Sequence, residues 1–366
     1  MATYKSIRYI VPTEAVEHTD SINALIDVDT NTTAPTDGQI LKWNNTNSKW
    51  YPGNVEGEVS TGGTQKAIIG FGENDNMATN TTFHISGTGT TQRGTNGVGT
   101  DRTGLAAAGY GGDKAIFGFG NSWNSYNDVN GSNLNLTNLV SNTGNVATDS
   151  TGVGTARTGL AASGYGGDKA IFGFGNASSL QNITNLVSNI GVVATDTTGV
   201  GTARKDLAAA GYGEGKAIFG FGNTSSLQNI TNLVSDTGVV STDTTGVGTA
   251  RSGSAAAGYG GDKAIFGFGY ATSYTNTTNL VSNLGVVATD TTGVGTARKS
   301  LGASSYGGDK ALFALGYNTS GRVSTINFVS NTGVVATDGN TTNPDTVYQQ
   351  GQAKHKVAAA GYSTTA

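Results

Sequence analysis

The side chains that most often perform chemistry are scarce in this sequence. It contains no cysteine and three histidines, His18, His84 and His355. No two histidines stand at the spacing of an H-x-x-x-H or H-E-x-x-H metal site, and neither a phosphate-binding G-K-[ST] loop nor a G-x-S-x-G nucleophile elbow occurs. Without cysteine, disulfides, thiol catalysis and cysteine-based zinc sites are excluded. We therefore expect no enzyme activity, no cofactor and no metal site.

Acidic and basic residues instead recur in register. An Asp precedes an Arg by eight residues four times, and a further Arg stands at the same point one unit earlier; the residues are Asp149/Arg157, Asp196/Arg204, Asp243/Arg251, Asp290/Arg298 and Arg102. A residue that recurs in this way serves the repeat, so we interpret each pair as an ion pair or hydrogen-bond anchor between the end of one unit and the start of the next. A second set of carboxylates falls in Gly-rich turns, where Asp is common for reasons of turn chemistry; these are Asp113, Asp168, Asp262 and Asp309.

The loops that differ most between units carry aromatic and charged side chains: Trp123, Tyr126, Asp128, Tyr270, Tyr274, Tyr317 and Arg322. Trp and Tyr offer a flat apolar face with a polar edge, and Asn, Ser and Gln stand beside them, a combination that suits the sugars of a cell envelope. The alternative is that these side chains pack their loops down or contact a neighbouring subunit. Both interpretations stay open at the level of the sequence.

These residues are positioned by a repeat. A sequence motif close to GLAAAGYGGDKAIFGFG recurs along the chain. Its lysine falls at Lys66, Lys114, Lys169, Lys216, Lys263 and Lys310, at intervals of 48, 55, 47, 47 and 47 residues. A repeat of this length suits a four-stranded blade of a β-propeller. We therefore expect an all-β fold, a six-bladed propeller with four strands, segments A to D, in each blade.

The composition of the segments predicts their places in a blade. In the third unit, segment A is the small-residue run 160–165, segment B is 169–175, segment C is 184–188 and segment D is 192–196. Alanine has poor strand propensity, so segment A is interpreted as the innermost strand, where its counterparts crowd it. Large apolar residues on both faces of segment B indicate a strand buried between neighbouring blades, and its glycines allow backbones or rings to approach closely. All B–C loops then lie on one face, together with the D–A connections.

The two ends of the repeat region complete one unit between them. The first unit begins at segment B with Lys66, and residues 354–362 form a segment A with no segment B after it, with Lys354 at the Arg position. We expect this last strand to pair with the first blade and close the ring, which removes exposed sheet edges. The blades are then 61–102 with 354–362, 103–157, 158–204, 205–251, 252–298 and 299–353. An open solenoid is the alternative, but a solenoid would not split one unit between its ends.

Residues 1–60 lie outside the repeat and are interpreted as an attachment or oligomerisation module. Residues 40–43 and 49–51 flank an Asn-rich turn, which predicts a short hairpin. Such a hairpin is too small to hold a core of its own, so we expect Trp43, Trp50 and Tyr51 to meet a partner protein or other copies. The net charge of −4, without a Lys/Arg run, argues against nucleic-acid partners and polybasic membrane attachment. No signal peptide or membrane-spanning stretch is recognisable, which predicts a soluble product without membrane insertion.

Residues 157–175, RTGLAASGYGGDKAIFGFG, resemble a unit of the kelch propeller family. They share an Arg before a small-residue inner strand, a Gly-rich turn, and an aromatic-aliphatic strand that ends in glycines. Two features depart from the family, since its double glycine appears here as G-F-G and the Trp of its fourth strand is replaced by Val-Ala-Thr-Asp. The kelch-like pattern covers residues 61–366.

Residues 24–53, which include APTDGQILKW and SKWYPG, are similar to a segment common in fibre and appendage proteins of tailed bacteriophages. This resemblance implies a virion structural protein on the tail or capsid surface, made in the host cytoplasm and anchored to other virion proteins through residues 1–60. The propeller would then face a host surface glycan or receptor. The resemblance also implies a homo-oligomer, and a trimer would suit a fibre. The alternatives are a head-decorating fibre or capsid accessory protein, a propeller glycan-active enzyme, and a protein-binding adaptor of cellular kelch type.

Overall fold

The computed structural model describes residues 40–44, 49–53, 65–74, 77–93, 97–123, 131–340 and 353–363. The chain divides into two compact units, Met1–Val59 and Ser60–Ala366. The regular elements among the described residues are β-strands in small antiparallel sheets, which confirms the expected all-β class. In the same part of the chain, no helix is long and apolar enough to cross a membrane.

The strands are named in chain order. Their bounds are β1 (Ile40–Asn44), β2 (Lys49–Gly53), β3 (Gln65–Gly70), β4 (Glu73–Asn74), β5 (Met77–Ala78), β6 (Thr82–Ile85), β7 (Thr91–Arg93), β8 (Ala106–Tyr110), β9 (Lys114–Gly118), β10 (Thr137–Val140), β11 (Ala161–Tyr165), β12 (Lys169–Asn176), β13 (Leu180–Val187), β14 (Ala208–Tyr212), β15 (Lys216–Gly220), β16 (Thr231–Val234), β17 (Ala255–Tyr259), β18 (Lys263–Tyr270), β19 (Tyr274–Val281), β20 (Gly302–Tyr306), β21 (Lys310–Ala314), β22 (Tyr317–Asn318), β23 (Gly321–Arg322), β24 (Thr325–Val329), β25 (Gly339–Asn340) and β26 (Ala358–Ser363).

The N-terminal compact unit contains the hairpin that the sequence predicts. β1 and β2 pair antiparallel, with Trp43 opposite Trp50 and Lys42 opposite Tyr51. Trp50 is partly exposed. The hairpin therefore presents at least one large aromatic side chain to its surroundings.

Each repeat unit forms an antiparallel sheet in which segments A, B and C follow one another. The sheets are β8–β9–β10, β11–β12–β13, β14–β15–β16, β17–β18–β19, β20–β21–β24–β25 and β26–β3–β6–β7. In the third unit Ala161 lies opposite Gly173. The last strand, β26, supplies segment A for β3 in the same register, with Ala358 opposite Gly70. The predicted pairing between the two ends of the repeat region is confirmed.

Segment D is not a continuous strand in the second to fifth units, which differs from the prediction. In the third unit it is joined to segment C by two isolated bridges, Val187 with Val193 and Thr184 with Thr197. Between these bridges the Asn185 side-chain amide donates to the Ala194 carbonyl at 3.0 Å. A side chain of segment C thus replaces a bond that the backbone ladder would make, so segment D leaves strand geometry.

The segment A strands contact one another side by side. β8 contacts β11, β11 contacts β14, β14 contacts β17, β17 contacts β20, and β26 contacts both β20 and β8. The space between them is small, because a Cβ on Gly109 would lie 3.2 Å from the Gly361 carbonyl oxygen and one on Gly258 would lie 3.3 Å from that of Gly211. Ala and Gly occupy segment A because larger side chains would collide with the neighbouring strand.

Packing between adjacent sheets explains the G-F-G end of segment B. Phe174 is fully buried with a left-handed φ of 64°, and its ring centroid lies 5.2 Å from that of Phe219 in the next sheet. A Cβ on Gly173 would lie 2.8 Å from the Phe219 ring. Gly175 has a φ of 106°, which only glycine adopts without strain. The first glycine makes room for the neighbouring ring, and the second allows the turn that follows.

Candidate functional site

A repeated arginine is buried in five of the six repeat units. Arg157 is fully buried. Its Nε donates to the Phe174 carbonyl at 2.8 Å, its Nη1 to the Thr155 carbonyl at 3.0 Å and its Nη2 to Asn185 Oδ1 at 2.7 Å. The guanidinium also lies 4.2 Å from the ring centroid of Phe119 in the preceding sheet. Burial lowers the pKa of Arg157 to about 10, so the cation persists at neutral pH. The equivalent buried arginines are Arg102, Arg204, Arg251 and Arg298.

The carboxylates near these arginines are not the ones expected from the eight-residue spacing. The expected pairing of Asp149 with Arg157 is wrong, because Asp149 lies 4.0 Å from Arg102 and Arg157 lies 3.9 Å from Asp196. The C–D turn returns each Asp to the Arg that precedes segment A of its own sheet, whereas the next eight residues carry the chain into the following sheet. The same correction applies to the pairs Asp196/Arg204, Asp243/Arg251 and Asp290/Arg298, since the charge beside Asp243 is Arg204 and the one beside Asp290 is Arg251.

Each repeat Asp also accepts hydrogen bonds that hold the D–A connection against the sheet. Asp196 accepts from Thr155 Oγ1 at 2.6 Å and from Asn185 Nδ2 at 2.9 Å. Partial burial acts to raise the pKa of Asp196, but these hydrogen bonds outweigh it and hold the pKa below its usual value. The Arg, Asn, Asp and Thr side chains satisfy one another, and these contacts support a structural interpretation of the repeated charges.

The carboxylates of the A–B turns pair with the lysine that follows in sequence. Asp168 Oδ1 lies 2.8 Å from Lys169 Nζ, and Asp262 Oδ1 lies 2.6 Å from Lys263 Nζ. A cavity of about 380 Å³ opens between the A–B turns and is lined mainly by their glycines, lysines and tyrosines. Among the described residues, no group of three His, Asp or Glu side chains is placed to hold a metal ion.

On the side of the B–C loops, the structure gathers four of the predicted residues into one surface. The ring centroids of Tyr270 and Tyr274 are 5.5 Å apart, and those of Tyr274 and Tyr317 are 6.4 Å apart. Arg322 lies opposite Tyr317 across β22 and β23. The Lys299 ammonium lies 5.0 Å from the ring centroid of Tyr270 and 5.8 Å from that of Tyr274. We name these five residues, together with Glu73, His355 and Lys356, the tyrosine–cation patch.

A buried carboxylate anchors the charged part of the patch. Glu73 is 5 % exposed and accepts from Arg322 Nη2 and Lys356 Nζ, each at 3.2 Å. Burial acts to raise the pKa of Glu73, but the charges of Lys356 and its neighbours hold it below its usual value. His355 Nε2 lies 3.5 Å from the same carboxylate. Burial lowers the pKa of His355 to about 4, so the imidazole is neutral at pH 7, and its ring centroid lies 5.1 Å from that of Tyr317.

The other predicted recognition and attachment residues lie apart from these contacts. The Trp123 carbonyl accepts from the Ala78 amide in β5 at 3.2 Å, so Trp123 lies beside the β4–β5 hairpin of the first unit. Tyr126 and Asp128 fall outside the described residues, and so do the side chains of Trp43 and Tyr51. The roles assigned to these residues stay predictions.

Comparison of the loops alone misses Lys299 and Lys356 as candidate site residues. Lys299 stands where the second and third units have Thr103 and Thr158, and Lys356 stands where they have Gly104 and Gly159. Glu73 and His355 likewise take positions that hold Asn and Thr in those units. A comparison of charge at each aligned position of the repeat would find all four residues, because the second and third units have short neutral residues there.

No protein-family model matches this chain, and no curated protein matches it significantly. The geometry of the repeat and of the tyrosine–cation patch therefore carries the functional argument, together with the resemblances noted in the sequence.

Proposed function

We propose that the six repeat sheets are the blades of a closed, kelch-like β-propeller. Two observations support this arrangement. The side-by-side contacts of the segment A strands return from β26 to β8, and β26 completes the sheet of β3 from the other end of the repeat region. An open solenoid would have two terminal sheets, and its β3 would lack a segment A.

The observation that carries this architecture is a series of backbone hydrogen bonds between sheets. The residue before each segment A donates its N–H to the carbonyl of the equivalent residue in the neighbouring sheet. At donor–acceptor distances of 2.7–3.3 Å, the bonds run from Gly159 to Gly104, Asp206 to Gly159, Gly253 to Asp206, Ser300 to Gly253, Lys356 to Ser300 and Gly104 to Lys356. We name these six residues the inner ring. Since the series ends on the residue where it began, it favours a circular arrangement over a linear one.

The protein acts, in this proposal, as a non-enzymatic structural appendage of a tailed-bacteriophage virion. Its N-terminal region anchors it to other virion proteins, and the propeller faces the host cell surface. The similarity of residues 24–53 to phage appendage segments supports the anchor. The concentration of unit-to-unit differences on the side of the B–C loops supports recognition, because a rigid scaffold with variable loops is a common arrangement for binding.

Analysis of purified virions by mass spectrometry and antibody labelling tests this role. We expect the chain to remain with intact particles through repeated washing and to be labelled on the tail or capsid surface. Trp50→Ala should fold, as measured by circular dichroism, but should be depleted from particles, whereas Lys299→Thr in the tyrosine–cation patch should be incorporated normally. Absence of the wild-type chain from washed particles rejects the proposal.

A further inference from the structure

Three of the six inner-ring positions hold residues other than glycine, although the backbone conformation there favours glycine. Its six residues all have left-handed φ, with 62° at Gly104, 64° at Gly159, 55° at Asp206, 61° at Gly253, 57° at Ser300 and 52° at Lys356. A residue with a Cβ adopts this conformation at a cost that glycine avoids. Three units use glycine, and three accept the cost and present a polar or charged side chain. Strained positions of this kind concentrate at functional sites.

Charged groups gather around these side chains. The charges of Lys205, Lys356 and Lys299 act on the Asp206 carboxylate, and both Lys356 and Arg322 pair with Glu73. Among the described residues named here, four cations (Lys205, Lys299, Arg322 and Lys356) outnumber two carboxylates (Asp206 and Glu73). A local excess of positive charge attracts an anionic partner.

The units also differ at the positions next to the inner ring. The residue before each inner-ring residue forms an isolated antiparallel β-bridge with a residue at the end of segment B. The pairs are Thr103 with Asn121, Thr158 with Asn176, Lys205 with Asn223, Ser252 with Tyr270, Lys299 with Tyr317 and His355 with Glu73. The second and third units keep a short neutral pair. Lys205 and Lys299 belong to the two sheets whose segment A strands contact that of the Tyr270 sheet, and the Lys299 ammonium lies over the Tyr270 ring.

Tyrosine rings beside an ammonium group suit a sugar that bears a negative charge. Tyr270 is 36 % exposed, and its ring has an apolar face against which the C–H face of a pyranose packs. Lys299 lies over the rings of Tyr270 and Tyr274, so its N–H groups are close to a sugar packed there. An ammonium group forms charge-assisted hydrogen bonds with carboxylate or phosphate oxygens. A neutral sugar would use the rings but would form no charge-assisted bond with Lys299.

We propose that the tyrosine–cation patch binds an acidic saccharide. The sugar ring packs on Tyr270, and its carboxylate or phosphate meets Lys299. This inference deepens the proposed role at the host surface and rests on it.

Binding of the full-length chain to three immobilised probes tests the inference. The probes are oligogalacturonate, which carries carboxylates, poly(glycerol phosphate), which carries phosphates on a polyol, and neutral maltohexaose. We expect one or both acidic probes to bind more tightly than maltohexaose, with an affinity that falls as salt is raised. Preference between the acidic probes identifies the anionic group. Equal binding to the neutral probe, or binding to none of the three, overturns the inference.

Variants that carry the residues of another repeat unit should fold normally, so a change in their binding reports on the site and not on stability. Lys299→Thr and Tyr270→Asn install the residues of the third unit, Thr158 and Asn176, and each should weaken acidic-probe binding by about tenfold, which corresponds to the loss of one ion pair or ring contact. Lys216→Ala, at the start of β15 on the other side of the sheets, should bind like wild type. Unchanged binding in both patch variants, with melting temperatures equal to that of wild type, contradicts the proposed site.

The virion experiment and the binding experiment can reject their two proposals independently of each other. A chain found in virions that binds no acidic probe keeps its structural role and loses this site. A chain absent from virions that binds an acidic probe through Lys299 keeps the site and loses the appendage role.

Discussion

At the scale of single residues, five of the six repeat sheets depend on a buried arginine. Arg204 donates to the Phe221 and Thr202 carbonyls and to Asn232 Oδ1 at 2.7–3.0 Å. Its guanidinium also lies 4.3 Å from the ring centroid of Phe174 in the preceding sheet. Removing one member of such a buried network leaves the others without partners, which costs more than the lost bonds themselves.

Arg204→Met retains much of the side-chain volume and removes every donor. We expect it to lower the free energy of unfolding by about 3–5 kcal/mol, because a buried network loses its charged member. Thermal and urea unfolding followed by circular dichroism measure the change. Lys216→Ala, which changes an exposed lysine of the neighbouring strand β15, is the control and should stay within about 0.5 kcal/mol of wild type. A melting temperature equal to that of the control contradicts the structural role of Arg204.

The sequence predicts the positions of the arginines but not their carboxylate partners. The number of residues between an Asp and an Arg does not determine whether the two lie in the same sheet. Asp149 and Arg157 are eight residues apart and belong to different sheets, whereas Arg157 and Asp196 are farther apart and meet. Lys354 lies at the Arg position of the first unit, as predicted. It is 4 % exposed and donates to Thr79 and Thr81.

At the scale of elements, the sheet β26–β3–β6–β7 differs from the others in its third strand. His84 lies opposite Ile68, where the third unit has Leu186 opposite Ile171. His84 Nδ1 shares a hydrogen bond of 2.9 Å with the Tyr362 hydroxyl of β26. Burial lowers the pKa of His84 from 6.5 to about 4. The seam between the two ends of the repeat region therefore contains a buried neutral imidazole.

Acid should weaken this seam through His84. The unfolded chain binds a proton at this histidine near pH 6.5 and the folded chain only near pH 4. The stability contributed by the neutral imidazole is therefore complete above about pH 6.5 and falls as the pH drops through this window. His84→Leu, the residue used in the third unit, should reduce the slope of melting temperature against pH over the same range. His355 adds a parallel slope that the variant keeps. Identical slopes for wild type and H84L contradict the prediction.

The sequence predicts some elements better than others for physical reasons. The A–B hairpins are predictable from the repeated sequence motif, since every unit uses the same backbone pairing. The irregular conformation of segment D is not predictable in this way. The Asn185 side chain replaces a backbone hydrogen bond of the strand ladder, and strand propensity does not reveal this replacement. In the patch, Tyr270 and Tyr274 stand out as aromatic residues in a loop. Lys299 belongs to a different unit and joins them only because the sheets are neighbours.

At the scale of the whole molecule, one strand completes the repeat region. Ala358, Ala360 and Tyr362 of β26 pack in a buried cluster with Ile68 and Phe117. Val357, the residue before the strand, packs in a second cluster with Leu312 and Leu315. The strand therefore pairs with the first unit and packs against both of its neighbours, so its removal should affect more than one sheet.

A chain that ends at residue 353 tests whether closure holds the fold together. We expect this truncation to lose the single cooperative melting transition and to associate, because β3 is left as an exposed edge and two buried clusters lose members. A chain without residues 364–366 retains β26 and is the control. Light scattering after size-exclusion chromatography should show larger species for the truncated chain and an unchanged mass for the control. A peptide of residues 354–363 added in excess should restore the transition by refilling the edge. If the truncated chain melts and elutes like the control, the sheets do not need closure, and both the propeller and the recognition surface shared by its units must be abandoned.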